Sequence, residues 1–423
     1  MELRSNSNQQ VDLIVIGGGP AGFMGAITAA EKGLASVFLF ESTSKTLEKV
    51  RISGGGRCNV TNACWDPIDL VTNYPRGKLP LLGSFSRFAT GDAVAWFADK
   101  GLDLVIEKDG RMFPRSNSSL EVVSCLRSAA SARGVNSFTK SAVSRVDHHE
   151  KKGFLVYIQG QSPIETKRLL LATGGHPSGR KLASSLGHKI VNPVPSLFSL
   201  TLEENPLNIC SGIALNDVNL KLLVGGKSFT QTGRVLITHR GLSGPAVLRL
   251  SAFAARELYQ EKYKAQLEVS WIDIDFELAV KCMKEFRRQA SRNTLANARP
   301  FKQVPRRLWL TILKQAGINS SLRWAEISSL KEKQIIKLLL LNSYSVSGRG
   351  PFGEEFVTAG GINLGEVNFA RMESRLLPGL HFAGEILDVD GVTGGFNFQH
   401  CWSSGWLAGK AIANSLQTLS QDK

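Results

Sequence analysis

The feature that most constrains this chain is a glycine triplet, Gly17, Gly19 and Gly22, placed directly after a β-branched apolar run at residues 11–17. A stretch of small residues opens at Pro20 and Ala21 and is helix-compatible as far as Lys32, with Gly33 as its stop. A second apolar run at 36–40 ends in Glu41. Strand, glycine turn, helix, strand and acid therefore occur in the order of a dinucleotide-binding βαβ unit. Gly17 makes the tight turn, Gly19 lets a pyrophosphate approach the backbone, and Gly22 lets the helix pack on the strand. The helix N-terminus adds unpaired amides and roughly half a positive charge. Glu41 is spaced to accept hydrogen bonds from a ribose diol. A second triplet, Gly348, Gly350 and Gly353, has no clear strand before it, and Pro351 removes an amide, so it reads as a loop.

Two more loops share the nucleotide-side pattern. A leucine-rich run at 168–172 leads into Thr173, Gly174 and Gly175, and a run at 379–383 leads into Gly384 and Glu385, with Asp388 close behind. A cofactor touched by both the first forty and the last fifty residues is long, which favours FAD over a nicotinamide dinucleotide held in one compact domain. The 423 residues suffice for two or three packed domains, and 43% apolar with 21% charged residues excludes disorder and coiled coil. No apolar run approaches the ~18–20 residues of a membrane span. Residues 1–10 lack the apolar core of a secretory signal, so the expected location is the cytoplasm, with no membrane partner. Cysteines at 58, 64, 125, 210, 282 and 401 form no C-x-x-C pair and read as reduced thiols. His148 and His149 lie in a charged stretch, and His176 and His400 near the loops lack a matched second ligand, so no metal site is expected.

Residues 52–62, 238–245, 358–361 and 382–405 carry long glycine-rich motifs which closely resemble those of the HI0933-like (BaiN/RdsA-like, YhiN-type) family of bacterial FAD flavoproteins. The resemblance runs from Val11 to about Gly409. It implies an α/β fold: a Rossmann-like FAD-binding domain of the glutathione reductase type, with inserted β-barrel-like and small helical units. The expected boundaries are 1–195 and 351–423 for the two parts of the FAD domain, 196–275 for the barrel and 276–350 for a basic helical unit. By resemblance, Gly17 to Gly22 and Glu41 hold the ADP half of FAD. Ser53, Gly54, Gly55, Arg57, Cys58 and Asn59 lie along the flavin, and residues 384–396 contact ribityl and ring.

The residue types suit those tasks. Three consecutive glycines, Gly54 to Gly56, remove side chains where a flat ring must meet backbone, and Arg57 offers a permanent cation. Gly394, Gly395, Phe396 and Asn397 open a helix-compatible stretch to about Leu416, whose N-terminus would stabilise negative charge on reduced flavin. The plainer alternative is a buried glycine-rich connector. Cys58 and Cys64 are one residue further apart than a disulfide-reducing flavoenzyme pair, and the chain lacks that group's second βαβ unit and its His-Pro acid. Cys58 is then either a general acid of near-neutral pKa or a small buried filler. His239, beside Arg240 and ahead of the helix start at Gly244 and Pro245, is either a second catalytic candidate or structural.

Short alternating runs at 219–224, 234–238 and 266–274 suggest a small barrel. Residues 276–345 turn helical: Pro305 begins a helix with Leu308, Trp309, Ile312, Leu313 and Ala316 on one face and Gly317 as its stop, and Ser329 with Glu332 reads as a capping box. This stretch holds 14 Lys and Arg against 4 Asp and Glu, so +10 of the chain's +15 sits in about one sixth of its length. A cofactor pyrophosphate does not need so many cations. Arg287, Arg288, Arg292, Arg299, Lys302, Arg306 and Arg307 read as a phosphate-backbone footprint, or as a solvated helical face. The resemblance implies reduction of a conjugated C=C bond by FAD with NAD(P)H as transient electron donor, on an rRNA uridine or a steroid-type enone. The local charge favours rRNA. Alternatives are a small-molecule ene-reductase or amine oxidase, or a non-catalytic flavin-binding ribosome protein.

Overall fold

The computed structural model describes residues 10–150, 152–350 and 357–421. Residues 1–9, Pro351 and Gly353 lie outside the described residues. The chain divides into two compact units, one built from residues up to 193 together with those from 358 onward, the other from residues 194–357.

The first unit begins with β1 (Val11–Ile16), whose side chains are almost all buried because both faces of a parallel sheet are covered. Helix α1 (Pro20–Glu31) follows with Pro20 in its first turn, then β2 (Val37–Phe40) and α2 (Glu48–Gly56). Strands β3 (Asn136–Phe138) and β4 (Ile164–Leu171) complete its first part. The strand expected at 168–172 starts four residues earlier, because its first half pairs with the hairpin formed by Val143–His149 and Gly153–Ile158.

The second unit contains β5 (Leu200–Leu202), β6 (Ala214–Val224), β7 (Lys227–Ile237), β8 (Gly241–Ser243), α3 (Pro245–Phe253) and β9 (Ala265–Ser270). Helices α4 (Phe276–Gln289), α5 (Arg306–Gln315) and α6 (Ser329–Leu340) come next, then β10 (Asn342–Arg349). The strands form a closed barrel in the order β5-β8-β7-β6-β9-β10, sealed by antiparallel pairing of β5 with β10. Gly348 lies within β10 rather than in a loop. Because β10 is required for closure, the helical stretch interrupts the barrel between its last two strands. Leu220, Leu222 and Leu267 of the barrel share one buried core with Trp309, Trp324 and Ile335 of the helical stretch, so the two parts expected as separate units pack as one. The two indoles of the helical stretch stack within that core, with centroids 6.2 Å apart. The α6 cap also differs by one position. Ser328 is the N-cap, its hydroxyl accepting from the Lys331 amide at 3.3 Å, while Glu332 turns inward to pair with Arg287.

The chain then returns to the first unit with β11 (Leu380–Phe382) and the long helix α7 (Phe396–Gln421), which packs against α1. The parallel part of the sheet runs β11-β4-β1-β2-β3. No described helix is long and apolar enough to cross a membrane.

Candidate cofactor site

Because β11, β4, β1 and β2 are parallel neighbours, the loops that follow them leave the same edge of the sheet. That edge therefore gathers the Gly17 turn, Glu41, Thr173 with Gly174, and Gly384 with Glu385. The helix after β1 connects to β2 on one side, while β4 lies on the other, which makes this the switch-point crevice where open α/β sheets bind ligands.

The turn is built by contact. A Cβ on Gly22 would lie 2.0 Å from the Gly17 carbonyl oxygen, so no larger residue lets α1 start there. At Gly19, by contrast, no atom stands within 4 Å of the Cβ position, leaving open space at the helix N-terminus. Phe23 donates to the Gly19 carbonyl at 3.0 Å, and the first-turn amides of Ala21 and Gly22 have no acceptor within the helix. Glu41 is fixed from two sides: Oε2 accepts from the Gly18 amide at 2.9 Å and Oε1 from Thr43 at 2.8 Å. A carboxylate has about four lone-pair sites, so acceptor capacity for a diol is left.

Lys49, which the sequence did not single out, ties the other loops. Its Nζ is 2.8 Å from Glu385 Oε2, and the Cβ position of Gly174 lies 3.8 Å from that oxygen and 4.0 Å from that nitrogen. Glu385 raises the Lys49 pKa, keeping it cationic. Thr173 packs its buried hydroxyl, unpaired among the described residues, against Gly179. Open space at Gly19, a helix N-terminus and a held acid suit the pyrophosphate and ribose of a dinucleotide.

The opposite wall comes from residues 53–62 and 384–399. Helix α2 breaks at Ser53, where ψ is 151°, and Gly54, Gly55 and Gly56 follow with φ of +57°, +68° and +86°. Three consecutive left-handed residues explain the glycine run. Ser53 donates to the Val50 carbonyl at 2.9 Å, and Asn59 Oδ1 accepts from the Met112 amide at 3.2 Å. Asn62 donates to the Gly394 carbonyl at 2.9 Å, and Thr61 to Gln399 Oε1 at 2.6 Å. Gln399 donates back to the Gly395 carbonyl at 3.0 Å, setting the first turn of α7. Asn397 clamps both amide and carbonyl of Gly391 at 2.8 and 2.9 Å. Asp388 is buried, with its amide on the Ile362 carbonyl at 3.1 Å. A strap at 73–76 holds this loop from outside: Val392 donates to Asn73 at 2.9 Å, Tyr74 OH to the Phe396 carbonyl at 2.6 Å, and Arg76 pairs with the fully buried Asp390. Nothing local in the sequence announces that strap, since its partners are more than 300 residues apart.

Three of the expected site positions make bonds of their own. Arg57 lies 3.9 Å over the Phe113 ring, pairs with Glu107 at 2.6 Å and binds Asn117. Cys58 has no exposed surface, and burial pushes its thiol up to about 12 rather than near neutrality. Arg287 and Arg299 of the basic stretch are also tied to the protein, Arg287 to Glu332 and the Ala325 carbonyl, Arg299 to the Val304 carbonyl at 2.8 Å. Arg288, Arg292, Lys302, Arg306 and Arg307 are exposed, though Arg306 donates to the Ala296 carbonyl and Arg307 to those of Ile209 and Ser211. His239 lies between β7 and β8 in the second unit, with Nδ1 3.4 Å from Asn208 Oδ1. His176 caps the helix Pro177–Ser185, and His400 lies buried in α7 with Nε2 3.2 Å from the Gly384 carbonyl. Among the described residues no cluster of His, Cys, Asp or Glu could hold a metal.

A parallel sheet with the glycine turn, ribose acid and three converging loops defines a Rossmann-type FAD-binding oxidoreductase fold. The chain belongs to the HI0933-like protein Rossmann domain family, whose profile matches residues 11–411. It is 30% identical over 411 residues to a 3-dehydro-bile acid delta(4,6)-reductase of Clostridium scindens, covering 94% of this chain and 98% of that one. It is 28% identical over 419 residues to a ribosomal RNA dihydrouridine synthase of Haemophilus influenzae, covering 96% and 99%. Among solved structures it resembles a 3-ketosteroid-delta4-(5alpha)-dehydrogenase of Rhodococcus jostii, with a TM-score of 0.51, 15% identity, and 97% and 98% coverage. The protein is an FAD-dependent oxidoreductase.

Proposed function

We propose that this enzyme uses NAD(P)H to reduce a conjugated C=C bond, and that its substrate is a uridine of large-subunit ribosomal RNA, giving dihydrouridine. When bound, FAD supplies hydride to one carbon of the electron-poor double bond, and a proton completes the other. In this reading the N-terminus of α1, with Gly17, Gly19 and Gly22, holds the pyrophosphate, while Glu41 holds the ribose. Thr173 and Gly174, and Gly384 with Glu385, border the middle of the cofactor. Gly54 and Gly55 and the N-terminus of α7, at Gly394, Gly395, Phe396 and Asn397, border its ring. The positive end of a long helix favours negative charge there. His239 is the proton donor of this reading, since its ring is exposed whereas the Cys58 thiol is shut away.

The observation that carries the RNA assignment is the basic stretch. Arg288, Arg292, Lys302, Arg306 and Arg307 are exposed cations on one 20-residue span, a pattern suited to phosphates and without use at an apolar steroid site. The relatives in Haemophilus influenzae and Escherichia coli named for rRNA dihydrouridine synthesis support it. The relative acting on a 3-dehydro-bile acid favours a second reading, a small-molecule enone reductase with the same hydride and proton chemistry.

Mass spectrometry of rRNA nucleosides from cells lacking the protein tests the assignment. Loss of dihydrouridine from the large subunit is expected, and an unchanged content moves the substrate to a small molecule. Anaerobic mixing with NADPH should bleach the flavin band near ~450 nm. A flavin that no nicotinamide donor bleaches argues against the proposed electron donor.

A further inference from the structure

Along the C-terminal two thirds of α7, away from the crevice, a groove of about 460 Å³ opens on the first unit. Its lining includes Arg87, Arg371, Trp406, Lys410, Asn414 and Thr418. Trp406 is ten residues beyond the start of α7 and Thr418 twenty-two. At a rise of ~1.5 Å per residue, the groove starts about 15 Å from the helix end that borders the cofactor and extends to about 33 Å.

The indole of Trp406 is seated by stacking on Phe88, with centroids 4.9 Å apart and planes at 28°, and the Lys410 ammonium lies 4.6 Å from the ring centroid. Arg87 donates to the Ala370 carbonyl at 2.7 Å, which fixes its guanidinium at the rim. Arg371 is balanced by Glu373 at 3.0 Å, but neither Arg87 nor Lys410 has a carboxylate partner among the described residues. The groove thus joins two uncompensated cations, a held aromatic ring and amide and hydroxyl side chains in a volume suited to one nucleotide. Stacking surface beside cations is how proteins grip single-stranded nucleic acid without reading its sequence.

We propose that this groove is a second nucleotide-binding site, which holds a phosphate at Arg87 and Lys410 and a base on the Trp406 face that Lys410 uncovers when its ammonium turns to the phosphate. The ligand is one nucleotide unit, supplied either by an RNA strand or as a free nucleotide. The site goes beyond the reductase assignment and does not depend on it.

Fluorescence anisotropy on the FAD-loaded protein tests the site with a labelled ten-residue oligocytidylate, which carries no uridine to reduce. Competition by AMP and by NADPH forms the second arm. Lys410→Glu and Arg87→Glu change exposed side chains, and an unchanged ~450 nm flavin band shows that the fold survives. Trp406→Phe keeps a ring if Trp406→Ala fails to fold. A loss of about tenfold or more in oligonucleotide affinity for Lys410→Glu, with a smaller loss for Trp406→Phe, supports the site with RNA as its source. The same losses seen only for AMP or NADPH support it with a free nucleotide as source. Wild-type affinity for all three probes in every variant overturns the proposal. Because no turnover is read, that result leaves the rRNA assignment to be judged on the nucleoside measurement alone.

Discussion

Arg76 grips the carboxylate of Asp390 through both of its side-chain oxygens, across 314 residues of sequence and with the aspartate fully buried. The pair joins the strap at 73–76 to the loop that leads into α7. A buried ion pair rarely adds net stability against an apolar substitute, yet removing one partner strands the other. Arg76→Ala should therefore destabilise the protein by about 3–5 kcal/mol and lower its FAD content. The double variant Arg76→Met with Asp390→Leu should recover most of the stability. Thermal unfolding together with the ratio of absorbance at ~450 to ~280 nm would check both, and an Arg76→Ala protein with wild-type midpoint and flavin content contradicts the role.

Glu41 makes a sharper prediction, because its carboxylate is already held by two backbone amides of its own chain. Glu41→Ala removes an acceptor from the crevice and also leaves the Gly18 amide without its partner. Hydrogen bonds to charged groups are worth ~1.5–3 kcal/mol, so FAD affinity should fall by about 10- to 150-fold. Glu41→Gln should fall less, since an amide oxygen still accepts. Titration of apoprotein with FAD by flavin fluorescence decides this. Equal affinity for all three proteins would show that Glu41 serves only the turn.

Much of the crevice was legible because its determinants are local. Gly17, Gly19, Gly22 and Glu41 lie within 25 residues, and their spacing alone encodes turn, open approach and acid. The closure of the barrel was not legible, since β10 is a short polar-alternating strand directly after a helix and its partner β5 precedes it by about 140 residues. The same distance problem hid Arg76 and Lys49, whose acids Asp390 and Glu385 lie more than 300 positions away. Arg57 is legible in part for a different reason: its charge is visible in sequence, but its partners Glu107 and Asn117 are not.

Burial of His400 gives a pH dependence with a definite sign. Desolvation lowers its pKa from 6.5 to about 4, so the folded protein keeps the ring neutral while the unfolded chain protonates it. Its contribution is fully present above pH 6.5, is lost as pH falls toward 4, and is flat below that. The shift corresponds to about 3 kcal/mol across this window. His400→Gln, which retains a donor for the Gly384 carbonyl, should be less steep in denaturant midpoint against pH between those limits. Parallel curves for the two proteins would exclude His400 as a source of acid sensitivity.

Cys58 should behave as packing rather than as an acid. With its thiol pushed to about 12 and no exposed surface, it should resist iodoacetamide at pH 8, while the partly exposed Cys64 reacts slowly because burial and the nearby Asp69 and Asp66 raise its thiol too. Cys58→Ser should keep turnover within about threefold, because a group that holds its proton so tightly is a poor general acid near neutrality. His239→Ala, on the proposed reading, should lose about 10²-fold or more. Peptide mapping of the alkylated thiols and steady-state rates test the pair, and the reverse ranking of the two variants would restore Cys58 as the donor.

The basic stretch separates phosphate contact from structure within one segment. Arg288, Arg292 and Lys302 are exposed, so changing all three to Glu should leave folding and flavin content intact. Each phosphate contact contributes ~0.7–0.9 to the slope of log affinity against log salt, so losing three should flatten it by about 2 for an rRNA fragment. Arg287→Glu should act differently, since its partner Glu332 is buried and two carboxylates would then face each other in the core. That variant is expected to unfold at lower temperature. A triple variant that binds rRNA with the wild-type salt slope would assign these cations to solubility, leaving the small-molecule reading as the one that fits.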